Sequence, residues 1–215
     1  MKLIIGDKNY SSWSMRPWVL LKHFDIPFEE VAIELREAGT KDAILAHSPS
    51  GKLPCLITDE GYSVWDSLAI AETLAERFPQ HVLWPRAQEA RCHARSISAE
   101  MHSGFVDLRS NMWMNIRASW PGKGATPGAL ADIARIDMLW SDCLKASGGP
   151  FLFGDFCIAD AMYAPVVMRF NTWQPALSDA ASAYARRVTE SPAVRAWIDD
   201  ARRETHRIPS EDVCE

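Results

Sequence analysis

A small α/β unit followed by an all-helical one is the architecture this sequence predicts, and three features point to it. The first third of the chain alternates apolar runs of strand length with amphipathic stretches of helix length. A proline-bracketed segment, Phe78-Pro79-Gln80-His81-Val82-Leu83-Trp84-Pro85, ends that alternation. Beyond it the strand signal stops and only helical periodicity remains. The expected boundaries are 1–80 for the α/β unit, 81–87 for the linker and 88–215 for the helical unit.

The elements follow in order. Leu3-Ile4-Ile5 reads as a buried strand, and roughly Met15 to Phe24 as the first helix. Phe28 to Ile33 reads as a second strand, and Asp42 to Ala46 as a short helical turn. Ser48-Pro49-Ser50-Gly51-Lys52 is a loop by composition. Leu53 to Ile57 and Tyr62 to Trp65 are strands joined by the turn Asp59-Glu60-Gly61. A helix from Asp66 to about Phe78 puts Leu68, Ala71, Leu74, Ala75 and Phe78 on one face. A βαβ unit, a hairpin and a helix make a small mixed sheet with helices on both faces. In the second unit, Arg86 to about Arg117 reads as one long helix with Ile97, Met101, Phe105, Leu108 and Met112 along a stripe. Further helices are expected from Thr126-Pro127 to about Ala146, Ile158 to about Phe170, Ser178 to Thr189 and Pro192 to Arg203.

Composition excludes several classes of function. An apolar fraction of 47 % over 215 residues is enough for a real core. A net charge of −5 without any basic block argues against nucleic acid as a partner. No apolar run approaches a membrane span. The segment Met1 to Asp7 is too short for a signal peptide and runs into a strand, so the cytoplasm is the expected location. The five cysteines, Cys55, Cys92, Cys143, Cys157 and Cys214, contain no CxxC pair, which makes a disulfide framework or zinc site a poor reading. The six histidines show no HExxH pattern, so no metal is expected.

The chemistry is expected at Ser11-Ser12-Trp13-Ser14-Met15-Arg16-Pro17, where hydroxyls cluster between a strand and a helix. Unpaired N–H groups and the helix dipole there can bind an anion or hold a thiol as thiolate. The plainer reading makes Ser14 an N-cap and Pro17 a first-turn proline. Pro54 is out of place inside a central strand but acceptable where one begins, either as an ordinary loop proline or in the cis form. In the cis form it turns the preceding backbone outward, and Leu53 can then pair with a peptide-like ligand as a strand edge does.

Four stretches in this order resemble the cytosolic glutathione transferases over nearly the whole chain. Ser11-Ser12-Trp13-Ser14-Met15-Arg16 is similar to the serine motif of the zeta class and its bacterial relatives. Ser48 to Pro54 resembles the loop before the family's cis proline. Asp66-Ser67 matches the acidic residue and serine that hold the glutamyl end of glutathione. Gly154-Asp155-Phe156-Cys157-Ile158-Ala159-Asp160 resembles the family's helical-domain folding motif, with Cys157 in place of the usual serine or threonine cap.

The resemblance implies a thioredoxin-like first domain, an all-helical second domain, a homodimer, and glutathione as co-substrate with a small electrophile as its partner. Asp66 is then expected to pair with the glutamyl ammonium, Ser67 and the following helix N-terminus with its α-carboxylate, and Leu53, next to Pro54, with the cysteinyl backbone. Lys52 suits the glycine carboxylate, or is a solvated loop lysine. A serine hydroxyl donating to the sulfur favours the thiolate of a thiol whose ordinary pKa is about 8.5. Ser11 is the first choice for that donor and Ser12 the second. Arg16 either adds positive potential or braces the two domains. Trp13, Met112 and Trp113 are candidates for the electrophile pocket, the last two equally readable as packing residues. The leading function is a detoxifying glutathione transferase, with peroxidase activity as a side reaction. Trp13 stands where zeta-class isomerases carry a cysteine, which places a maleylacetoacetate-type isomerase second. A non-catalytic binding protein of the same fold is the third reading.

Overall fold

Leu3, Ile4 and Ile5 are fully buried because their strand, β1 (Lys2–Gly6), lies in the middle of a sheet. The computed structural model describes residues 1–213. β1 pairs in parallel with β2 (Glu29–Ile33) and antiparallel with β3 (Cys55–Ile57), and β3 pairs antiparallel with β4 (Ser63–Val64). The four-stranded order is β2-β1-β3-β4. Helix α1 (Ser12–His23) crosses between β1 and β2, α2 (Thr40–Leu45) lies against β2, and α3 (Ser67–Arg77) follows β4 and packs on α1. The fold is thus the expected mixed sheet with helices, continued by an all-helical second half.

Helix α1 begins three residues earlier than its apolar pattern suggests. Ser11, not Ser14, sits at the N-cap, and Pro17 lies inside the helix rather than in its first turn. The reason lies in Ser14: its Oγ accepts the Gly6 N–H at 3.1 Å and so ties the end of β1 to the helix.

The second half comprises α4 (Gln88–Ser103), α5 (Val106–Asn111), α6 (Pro127–Ser147), α7 (Ile158–Trp173), α8 (Asp179–Glu190) and α9 (Pro192–Arg203). The single helix expected over 86–117 is therefore two. Gly104 is extended and Phe105 adopts a left-handed conformation with φ of 54°, which breaks the chain's helical path. A carboxylate oxygen of Asp132 on α6 then accepts the Leu108 N–H and steadies the first turn of α5. After Asn111 the chain is irregular as far as Thr126, which caps α6 by accepting the Ala129 N–H.

Helix α7 is buried on all sides, and it packs on both α1 and α4. One apolar core consequently runs through both halves, from Leu3 and Leu20 to Tyr163, Val167 and Trp197. The residues after α9 turn back onto the first half. Glu204 accepts the N–H groups of Lys8 and Asn9, and Asp212 accepts the Tyr10 hydroxyl. Cys55, Cys143 and Cys157 are buried free thiols, Cys92 is exposed, and Cys214 lies outside the described residues. Among the described residues no helix is long and apolar enough to cross a membrane, and no group of three or more His, Cys, Asp or Glu side chains is placed to hold a metal ion.

Candidate functional site

Three stretches of the first half and one helix end of the second face each other across a cleft of about 640 Å³. Lys52, Leu53 and Pro54 form one wall, Trp65, Asp66 and Ser67 another, and Trp13 and His102 close it from α1 and α4. Beyond Trp13, Lys52 and Leu53 a second hollow of about 480 Å³ opens, and Ser11, Ser12, Tyr10, Arg36 and Glu211 line it. The Leu53-Pro54 peptide is cis. Among the described residues neither the N–H nor the C=O of Leu53 forms a hydrogen bond, so both are open to a ligand.

Asp66 is the N-cap of α3, and its two carboxylate oxygens have different partners. Oδ1 accepts from the N–H groups of Leu68 at 3.0 Å and Ala69 at 3.4 Å. Oδ2 lies 2.9 Å from His102 Nε2. The His102 ring in turn stands edge-on to Trp13, with centroids 5.3 Å apart. Asp66 and His102 therefore bridge the two halves of the protein across the cleft. Ser67 is fully buried, and its hydroxyl receives a long hydrogen bond of 3.4 Å from Arg16.

Beneath the cleft lies a group of arginines. The guanidinium of Arg16 is 4.1 Å from the centre of the Trp13 ring, and that of Arg109 is 5.6 Å from it. Burial pulls the Arg16 pKa down to about 9, with the charges of Arg169 and Arg109 adding to the effect and Asp66 opposing it. Burial and the charge of Arg109 bring Arg169 down to about 10. Both remain cations at neutral pH. The Nε atoms of all three arginines are buried with no hydrogen-bond partner among the described residues.

The serines differ in their surroundings. Ser11 Oγ donates to Ser14 Oγ at 2.7 Å, whereas Ser12 Oγ accepts from Arg169 at 3.2 Å. The loop leading to them is braced by the second half: the Asn9 amide donates to Asn115 at 2.8 Å, and Asn9 Oδ1 accepts the Arg117 N–H.

The structure thus brings Trp13, Lys52, Leu53, Pro54, Asp66 and Ser67 to one cleft and Ser11 and Ser12 to the hollow beside it. Met112 and Trp113 lie elsewhere. Because α5 stops at Asn111, both fall in the loop after it. Met112 is fully buried, and Trp113 packs in a cluster with Trp120 and Trp173 while its Nε1 donates to Glu211 O. His102, Arg109 and Arg169 belong to the neighbourhood of the cleft although sequence reasoning passed over them. Only Arg169 carries a readable signal, as a lone arginine within the apolar run Ala161–Phe170.

Comparison with known proteins gives a consistent result. The family model described as glutathione S-transferase, N-terminal domain, matches residues 10–77, and that for the glutathione S-transferase C-terminal domain matches residues 105–200. The chain is 29 % identical to the glutathione S-transferase GstB of Escherichia coli K12 over 214 residues, covering 90 % of this chain and 96 % of that one. It is also 29 % identical to a Caenorhabditis elegans protein named "Probable maleylacetoacetate isomerase", over 78 % of this chain and 77 % of the relative. Among solved structures, a glutathione transferase homologue from Burkholderia with bound glutathione superposes with a TM-score of 0.73 at 23 % identity, covering 94 % of this chain and 98 % of that one. That last likeness concerns the fold.

Proposed function

Because the chain belongs to the glutathione S-transferase family, we propose that it conjugates the glutathione thiolate to small electrophiles. One observation carries the reading: the open backbone of Leu53, the Asp66 carboxylate and the buried Ser67 converge on one cleft that leads to two serines. Glutathione offers an ammonium, a carboxylate, a peptide backbone and a thiol in matching order. Asp66 pairs with the ammonium, Ser67 and the start of α3 receive the α-carboxylate, and Leu53 pairs with the cysteinyl backbone. Lys52 on the rim meets the glycine carboxylate. The thiol then falls near the start of α1, where a serine hydroxyl stabilises its anion.

Residues 1–80 hold glutathione in this reading, 81–87 link, and 88–215 wall the electrophile side. Trp13 is the electrophile's first contact, while Met112 and Trp113, which line neither hollow, are packing residues. The protein works as a cytoplasmic homodimer in the removal of reactive compounds. A second reading, glutathione-dependent isomerisation, is favoured by the relative of that name. The indole of Trp13, where the zeta-class isomerases carry a cysteine, counts against it.

Calorimetry with glutathione, followed by turnover against aryl halides, epoxides, hydroperoxides and cis-enones, tests the proposal. Micromolar-to-millimolar binding together with conjugation of an aryl halide or epoxide supports it. Turnover of cis-enones alone favours the isomerase. Binding without any turnover favours the non-catalytic reading.

A further inference from the structure

The two serines can be told apart by where their protons go, a distinction that rests on the reading of the cleft as a glutathione site. A hydroxyl has one proton to give. That of Ser11 is engaged by Ser14 Oγ, which also accepts the Gly6 N–H. Ser12 is an acceptor instead: Arg169 Nη2 donates to its Oγ at 3.2 Å. A guanidinium cannot accept, so the proton of Ser12 must point away from Arg169. Ser12 lines the hollow beside Trp13 and Leu53, which is where that proton can go.

Arg169 is an unusual residue to find there. It is 5 % exposed in a helix whose neighbouring side chains are apolar, and among the described residues no carboxylate pairs with it. Its other terminal nitrogen donates to Pro165 O, one turn back on α7, and that contact fixes the plane of the group. Burying an unpaired cation is unfavourable in general, and the side chains around it on α7 are mostly apolar. Serving Ser12 gives the charge a purpose.

We propose that Arg169 is a positioning residue: it turns a lone pair of Ser12 toward itself and the Ser12 proton toward the cleft, so that Ser12 rather than Ser11 donates to the glutathione sulfur. A hydroxyl that accepts from a cation is also the stronger donor, because the two hydrogen bonds polarise each other. The other charged groups about the sulfur's place are Arg16 and Arg109 beside Trp13, Asp66 and His102 across the cleft, and Lys52, Arg36 and Glu211 along its edge. Among the described residues none of these side chains hydrogen-bonds the Ser12 hydroxyl, and Arg169 does.

The test is the ultraviolet thiolate absorbance of bound glutathione as a function of pH, at saturating ligand. Ser12→Ala is expected to raise the titration midpoint by about one pH unit and Ser11→Ala by less than about 0.3. Arg169→Met is expected to raise it by a similar amount to Ser12→Ala, and the double variant no further than either single one. Arg169→Lys, which keeps a cation and a donor, should restore most of the midpoint. An Arg169→Met shift that persists undiminished in the Ser12→Ala background means that the charge acts on sulfur directly, and overturns the proposal. A midpoint moved by Ser11→Ala and not by Ser12→Ala overturns it too, even where Arg169→Met fails to fold. Wild-type protein that binds no glutathione in calorimetry defeats the parent reading, and this one with it. Normal binding with a serine-independent midpoint defeats this one alone.

Discussion

Asp66 serves two structural partners at once, the first turn of α3 and His102, and in the proposed function it serves the glutathione ammonium as well. Its charge and its capping role can be separated. Asn is as good an N-cap as Asp, so Asp66→Asn keeps the cap and removes the charge. Glutathione affinity is expected to fall by about 1.5–3 kcal/mol, the worth of a charge-assisted contact. The melting temperature should barely move. Unchanged affinity in calorimetry would place the glutamyl end away from α3. The positions that meet at the cleft from the first half were readable because each sits in a short local pattern: a proline after a polar loop, and an acid before an amphipathic helix. His102, Arg109 and Arg169 approach from distant helices, and nothing local distinguishes a cleft histidine from a surface one. The serines were readable as a pair, but their separate roles depend on Ser14 and Arg169, and the second of these is joined to Ser12 only by folding.

The elements themselves were mostly legible, since short strands of two to five residues and helices with caps announce their ends. The exception, the break between α4 and α5, shows why. Ile97, Met101, Phe105, Leu108 and Met112 are all buried, so the apolar stripe runs straight through a point where the helix does not. Periodicity reports burial, and burial survives the break because α4 packs on α7 and α5 on α6. Gly104 is what the break needs. A Cβ there would lie 2.7 Å from the Glu100 carbonyl oxygen, a backbone atom that cannot swing aside. Gly104→Ala is therefore expected to destabilise the protein by about 1–3 kcal/mol, read as a lower denaturation midpoint. An unchanged midpoint would mean that α4 can lengthen by a residue. The start of α7 offers the opposite change. Cys157 occupies its N-cap, and Asp160 returns a carboxylate to the Cys157 N–H at 2.9 Å. A thiol accepts poorly, so Cys157→Ser should stabilise by about 0.5–1 kcal/mol. A lower melting temperature in the serine variant would show that the packing of sulfur matters more than the cap.

At the scale of the whole molecule, the segment 204–212 straps the second half to the first. His206 lies between two carboxylates, with Nδ1 2.8 Å from Asp7 and Nε2 3.1 Å from Glu37. Burial disfavours its cation, but the hydrogen bonds to Asp7 and Glu37 and the charge of Asp7 outweigh that, and its pKa rises above 6.5. A histidine raised on folding stabilises the fold fully below its unfolded pKa of about 6.5, and the contribution is lost as pH climbs through the folded value. Burial also raises Glu204 and Glu211, which act in the same direction at lower pH. Hydrogen exchange at Ile208, whose N–H donates to the Tyr10 hydroxyl, reads the strap directly. After correction for intrinsic exchange, its protection should fall as pH rises above about 6.5, and His206→Ala should abolish that dependence. Protection that rises with pH would mean that His206 is neutral in the fold.

The strap also sets an order of events in the cell. The backbone of Lys8 and Asn9, just ahead of the two serines, finds its partners on Glu204 and Trp197. A ribosome adds about 5–20 residues per second. The strand and helix that flank the serines can form early, yet the loop between them waits roughly 10–40 s for its last supports to be made. Until then the loop ahead of the serines lacks the carboxylate that accepts two of its N–H groups. A chain cut short ahead of Glu204 would therefore lack the carboxylate that accepts the Lys8 and Asn9 N–H groups, just ahead of the two serines.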